Sequence, residues 1–383
     1  MTESDPRVAR QDSAAAAATT PRLLSGVPVP ASGHPVPAGP TPDSAGRQGE
    51  WGGRRLVPGL ACCLAVLALL AVAGIAVGAK DVAPADVLRV LFTHAPADDD
   101  WIVVHTSRLP RTLLGIAVGA SLGLAGCLMQ ALTRNPLADP GLLGVNGGAA
   151  AAVAGATALL DLRTFTAYVW FALLGAVVAA VAVYLLGGMG GSSATPVRLA
   201  LAGTATTAVL TSLVSGLILL DPLTLNRFRF WQVGTFGGID AGVTAQVAPF
   251  LGVGALLAFA LARSLNTMSL GADTARALGT SPARVTALGL LTVTLLCGAS
   301  TAAVGPIAFV GLAVPHAARF LAGSDLRWNL PYAAVLGAVA VLAADVAGRV
   351  LLRPEELEAG VVAAFLGAPL FIALVRRRKL AEL

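Results

Sequence analysis

Lysine is almost missing from this chain: among 26 basic residues only Lys80 and Lys379 are lysines, and neither follows a glycine. A phosphate-cradling loop, GxxxxGK[ST], needs that lysine to reach the nucleotide phosphates, so the chain has no P-loop with which to hydrolyse ATP. Charge is scarce altogether. Charged residues make up 12% and hydrophobic residues 56% of the 383, and the mean hydropathy is +0.77, far from the balance of a soluble domain. The four histidines are isolated and form no HExxH zinc pair. Cys62, Cys63, Cys127 and Cys297 lie inside apolar runs without CxxC spacing, which predicts buried, reduced structural thiols and no metal site. The net charge of +5 has no basic face behind it, because the basic residues are scattered at the ends of apolar runs; nucleic acid is excluded as a partner.

What is present is a series of long apolar runs. Each is close to the ~20 residues that cross a hydrocarbon core, and they predict ten spans at about 56–79, 112–132, 141–160, 165–186, 199–220, 244–262, 285–304, 306–322, 331–351 and 359–375. Residues 1–50 are rich in Ala, Pro, Ser and Gly without apolar periodicity and read as a disordered cytoplasmic tail; residues 51–383 form the transmembrane domain. Arg54-Arg55 and the cluster 376–379 place both termini in the cytoplasm. Acidic loops then fall outside. Pro306, Pro315 and His316 interrupt the eighth run; a re-entrant segment there would give nine spans and turn the closing basic cluster outward, against the charge rule. Between spans, 84–92 reads as a short amphipathic helix. The polar loop 221–240 carries aromatics and arginines (228–233) suited to the membrane interface, and 273–279 reads as a short helix ended by Gly279.

The second span organises the rest. Gly115, Gly119 and Gly123 recur every four residues and clear one helix face for close packing. It ends in Asn135-Pro136 and Asp139-Pro140, which forbid helix continuation. Gly119-Ala-Ser121-Leu-Gly123 matches the GxSxG nucleophile elbow, but that motif requires a strand-turn-helix and here lies mid-helix, so catalysis is not expected. Asp345, four residues before Arg349, reads first as a structural intrahelical pair, with a proton-coupling site as the alternative. His316 reads first as structural, with a ligand or proton relay as the alternative.

Six stretches in order, RLPR (108–111), QALTRNPLADPGLLGVNGGA (130–149), FWQVGTFGG (230–238), LNTMSLGADTARALG (265–279), GPIAFVGLAVPHAARFLAG (305–323) and ADVAGRVLLRPEELEAGVVAAFLGAPLF (344–371), resemble the FecCD-type permeases of bacterial ABC importers. The resemblance implies an all-α membrane fold of type II importer architecture, with about ten helices per subunit. It also implies a multi-pass subunit of the bacterial cytoplasmic membrane, surrounded by lipid, in a homo- or heterodimer with the path at the subunit interface. Two ATP-binding cassette ATPase subunits would bind the ATP, leaving this chain no cofactor, and an extracytoplasmic binding protein would deliver an iron-siderophore cargo; haem or cobalamin are alternatives.

Residue by residue, the resemblance implies four roles. Arg108, Arg111 and Arg349 would meet glutamates of the binding protein. The segment Gly271, Ala272, Asp273, Thr274, Ala275, Arg276, Ala277, Leu278 and Gly279 would be the coupling helix on the ATPase. Asn135, Pro136, Leu137, Pro196 and Val197 would form the cytoplasmic gate, and Thr204, Thr207, Thr211 and Ser215 would line the path. The family's PAELP turn appears here as PEELE (354–358), one proline fewer and one acid more. A secondary transporter is the rival reading, for which inverted repeats are expected and none is visible.

Overall fold

A bilayer core offers no water to an unpaired peptide group, so a chain crossing it must satisfy its backbone within helices or a closed barrel. In the computed structural model, which describes residues 42–78, 89, 99–162, 164–189, 196–239, 241–352 and 355–376, the described residues form helices and no strand. Helix α1 (Pro42–Ala76) is followed by α2 (Asp99–Val103), which passes through a π-helical turn (Val104–Arg108) into α3 (Leu109–Thr133). A 3-10 turn (Pro140–Leu143) leads to α4 (Val145–Leu160), α5 (Phe165–Gly188), α6 (Pro196–Leu220) and α7 (Pro222–Gln232). Then come α8 (Ala241–Ser269), α9 (Ala272–Ala277), α10 (Pro282–Val304), α11 (Val310–Ala322), α12 (Leu326–Leu351) and α13 (Ala359–Arg376). Among the described residues seven helical stretches are long and apolar enough to cross a membrane, and three shorter apolar ones, Val145–Leu160, Val310–Ala322 and Ala359–Ala373, accompany them.

Helix α3 sits at the centre, against α12, α10, α11 and α8. Its glycine spacing is the reason. A Cβ on Gly119 would lie 2.4 Å from the Gly337 carbonyl oxygen, one on Gly123 2.1 Å from that of Ala333, and one on Gly126 1.9 Å from that of Gly311. No side chain fits such gaps, so α3 meets α12 and α11 backbone to backbone, the close approach that small residues permit in membranes.

Two breaks interrupt the bundle. Helix α3 stops at Arg134 in a left-handed conformation (φ 49°). The side chains then take over from the helix: Asn135 Oδ1 accepts from the Leu137 N–H (2.9 Å) and Asp139 Oδ1 from the Gly141 N–H (2.7 Å), while Pro136 and Pro140 carry no donor. The second break is at Gly305 (φ +78°), where a Cβ would lie 1.9 Å from the Trp231 carbonyl oxygen; residues 305–309 are irregular before α11 begins. Helix α11, 13 residues long, rises only about 20 Å, so the eighth apolar run is helical for part of its length.

Three expectations change. The loop 221–240 is largely helix α7, and two of that helix's three aromatics pack inward: Phe228 and Trp231, three apart on one helix face, are each 1% exposed, while Phe230 is 50% exposed. Helix α8 runs on to Ser269, past the expected end near 262, because Asn266 is tied to the start of α12 through Asp325 (2.5 Å) and the Leu326 N–H (3.0 Å). Residues 42–50 of the expected tail are helical, extending α1 upstream, since adding residues to an existing helix is far easier than nucleating one. Residues 1–41, nearly all of the amphipathic segment 84–92, and the basic residues 377–379 lie outside the described residues.

The packing sets a stability test. Gly123→Val should cost about 3 kcal/mol by overpacking against Ala333. Gly155→Ala, with nothing within 4 Å of the added carbon, should gain about 0.5–1 kcal/mol by restricting the unfolded chain. Thermal unfolding of the detergent-purified variants would show the first falling and the second level or rising.

Candidate functional site

At one end of α3 three arginines gather, and the structure gives two of them, Arg108 and Arg349, a backbone task at the C-terminus of α1. A helix leaves its last carbonyls without intrahelical donors. Arg349 Nη1 donates to the carbonyls of Gly74 (2.7 Å) and Val77 (2.8 Å), and Arg108 Nη1 donates to those of Ile75 (2.9 Å) and Ala76 (2.7 Å). Four consecutive carbonyls are thereby closed by two guanidiniums. Asp345, 1% exposed, lies between Arg349 and Arg111: Arg349 Nη2 pairs with its Oδ2, and Arg111 Nη2 with its Oδ1 at 2.7 Å. Arg111 Nη1 also reaches Glu356 Oε2 at 2.8 Å.

This arrangement corrects one expectation and extends another. Arg108 and Arg349, 5% and 3% exposed, are turned inward onto α1 and are not presented on a rim; of the three only Arg111, through Glu356, reaches the surface. Asp345 makes the expected pair with Arg349 within α12 and, through Arg111, also joins α12 to α3. The cause is the same in both cases: orphan carbonyls and a buried carboxylate together attract the nearest cations.

At the opposite end of α3 two of the predicted gate residues, Asn135 and Val197, come together. A cavity of about 350 Å³ is lined by Met129, Thr133, Asn135, Leu142, Val197 and Thr204 among others, so the α3–α4 connection and the start of α6 share one hollow. Leu137 lies outside that lining, and Leu137 and Val197 are 52% and 69% exposed. Pro136 belongs to a neighbouring cavity, and Pro196 is the first residue of α6.

Helix α9 fills most of the predicted coupling segment. Gly271 (φ +110°) and Gly279 (φ +79°) bound it in backbone conformations that side chains rarely adopt, and the Gly279 and Thr280 N–H groups close its end on Arg276 and Ala275 carbonyls. Ala275 is fully buried and anchors it; Leu278, 63% exposed, stands outward. Ala272, Asp273, Thr274, Arg276 and Ala277 are exposed as well, with Arg276 paired to Asp273 on the same turn. The predicted path residues Thr204, Thr211 and Ser215 are exposed on α6, whereas Thr207 is half-buried against Gly147 of α4.

Three further sequence features have defined places in the fold. Ser121 is buried mid-helix in α3, so the GxSxG string has no elbow. His316 Nδ1 lies 2.9 Å from the Leu312 carbonyl one turn back in α11. Cys127 and Cys297 are buried free thiols; Cys62 is exposed and Cys63 half-buried, against the expectation that all four are buried.

Similarity to known proteins decides the family. The sequence profile of the FecCD transport family matches residues 65–377. This chain belongs to the FecCD transport family. The ferric enterobactin transport system permease protein FepD of Escherichia coli is 47% identical over 323 residues, 84% of this chain and 95% of that protein. The probable siderophore transport system permease YfiZ of Bacillus subtilis is 38% identical over 75% of this chain and 86% of its own, and the hemin transport permease HmuU of Yersinia pestis 34% over 84% and 96%. An inward-facing metal-chelate type ABC transporter is similar in structure, with a TM-score of 0.74 at 26% identity over 83% of this chain and 98% of that one.

The FecCD fold also uses residues that sequence reasoning left unassigned. Asn146, inside the GVNGGA motif, accepts from Thr301 Oγ1 at 2.9 Å, tying α4 to α10. Asp139, Asn146 and Gln232 share a cavity of about 600 Å³ with Phe309, Val361 and Phe365, which opens beside α13. Asp139 and Gln232 fall between the expected spans and Asn146 inside one, so no local signal grouped them. For the arginine end, Arg349→Ala should cost about 3–5 kcal/mol, because it strips a buried carboxylate of one partner and uncaps α1. Glu356→Gln at the surface should change stability by under about 1 kcal/mol. Denaturation of the purified variants in detergent measures both.

Proposed function

We propose that this chain is the membrane-embedded permease subunit of an ATP-driven importer that carries iron-siderophore complexes across the bacterial cytoplasmic membrane. The observation that carries this reading is the 47% identity with the ferric enterobactin permease over 95% of that protein's length. The hemin permease is less similar, at 34%, so haem is the secondary reading for cargo. With no P-loop of its own, the chain takes its energy from two separate ATPase subunits, and both termini lie in the cytoplasm with them.

The geometry supports a division of roles. Helix α9, bounded by glycines and exposed around one buried alanine, suits a rigid knob seated in an ATPase surface. The cavity joining Asn135 to Val197 and Thr204 suits a gate at the same end of the bundle. The exposed hydroxyls of α6 and the exposed Phe365 and Leu366 of α13 suit a path shared with a second permease subunit, where weak contacts let large cargo pass. At the far end the Arg111–Glu356 surface receives the loaded binding protein; exposed charges of this kind fix orientation and speed encounter.

Reconstitution of the chain with its ATPase and binding protein in liposomes tests the reading. ATP inside should drive accumulation of radioactive iron supplied as a ferric siderophore on the binding protein. Deleting Ala272–Ala277 should abolish uptake while the protein still folds. Uptake that follows a proton gradient without ATP, or that survives the deletion, contradicts the proposal.

A further inference from the structure

Beside the inner gate, at the Arg134 end of α3, a cavity of about 610 Å³ opens between α3, α8, α11 and α12. Two guanidiniums stand on its wall. Arg319, near the end of α11, donates to the side-chain oxygen of Gln130, whose amide in turn donates to the Leu312 carbonyl at 3.2 Å. Arg134, in its left-handed position at the end of α3, donates to the Met268 carbonyl of α8. Both cations are thus held by neutral oxygens, and among the described residues neither makes an ion pair. The carboxylate on the same wall, Asp325, is already engaged: it accepts from Asn266 Nδ2 (2.5 Å) and caps α12 through the Arg327 N–H (2.9 Å).

Two positive charges directed by neutral partners into one hollow, with Asn266, Ser269 and Asn329 as further hydrogen-bonding groups, have the chemistry of an oxyanion site. The surroundings narrow the class of anion. Leu270 follows Ser269 in the chain and is 65% exposed; Phe320 and Leu321 follow Arg319 and are 80% and 48% exposed. A soluble anion has no use for apolar neighbours of this size, whereas a phospholipid lays acyl chains against them. Basic pockets between membrane helices are suited to anionic headgroups.

We propose that this cavity holds the phosphate of an anionic phospholipid from the leaflet on the α9 side. Calling that leaflet cytoplasmic rests on the orientation given under Proposed function; the binding itself does not. A headgroup seated between Arg134 and Arg319 ties the end of α8, from which α9 departs, to α3 and α11. Lipid charge thereby steadies the base of the coupling segment.

The permease–ATPase complex in phosphatidylcholine nanodiscs containing graded phosphatidylglycerol provides the test, with bound lipid read by native mass spectrometry after release. One tightly retained phosphatidylglycerol per permease subunit is expected. Arg134→Gln and Arg319→Gln should each weaken retention about fivefold, the worth of one basic residue at an anionic surface. Arg134→Lys and Arg319→Lys keep the charge and should keep most of the retention, which separates lost binding from lost folding. Arg284→Gln, at an exposed position on α10, should leave it unchanged. Equal retention of phosphatidylcholine, undiminished phosphatidylglycerol in the double glutamine variant, or displacement of the lipid by millimolar inorganic phosphate would each overturn the proposal. Because the assay needs neither cargo nor turnover, its outcome is separate from that of the uptake experiment.

Discussion

The structure depends on the closure of four carbonyls at the end of α1. In hydrocarbon each unsatisfied backbone oxygen costs several kcal/mol, and no solvent is at hand to relieve it. Arg108 and Arg349 meet that demand and bring positive charge into the bundle; Asp345 balances it, and Arg111 passes the remainder to Glu356 at the surface. One charge network therefore fixes α1, α3 and α12 at a single level. From there the glycine contacts of α3 with α12 and α11 run toward the other end and leave no slack between the backbones.

A stem locked at one end must place its mobility at the other. There α3 ends in a left-handed residue, side chains of Asn135 and Asp139 replace helical hydrogen bonds, and cavities open beside the start of α6 and between Arg134 and Arg319. Helix α9 hangs between two glycines at the same end. Regions with exposed backbone bonds and few buried contacts are the ones that open most readily.

Much of this was legible in the chain itself. The four-residue glycine spacing announced the backbone contacts of α3, because helix periodicity alone puts those positions on one face. Gly271 and Gly279 bracketed α9 through a conformational preference that is local to each residue. The arginine end was read differently for a physical reason: an arginine at the end of an apolar run ordinarily reaches outward, and the oxygens that turn Arg349 inward lie 275 and 272 residues away. The aromatics of α7 were misplaced for the converse reason, since their interleaved arginines resemble an interface while the i, i+3 spacing of Phe228 and Trp231 buries one face. Pairings such as Gln130 with Arg319 or Asn146 with Thr301 join distant segments and leave no local trace.

The claim that one end is locked while the other moves is most directly tested by paired spin labels on the reconstituted complex, on a background with the native cysteines replaced. One pair, at Leu137 and Val197, spans the gate; the other, at Ile102 and Val350, spans the arginine end, and all four positions are exposed. Trapping the ATPase with nucleotide should shift the gate distance and leave the arginine-end distance within its original distribution. A gate distance that stays fixed, or an arginine end that moves as far as the gate, would contradict the account.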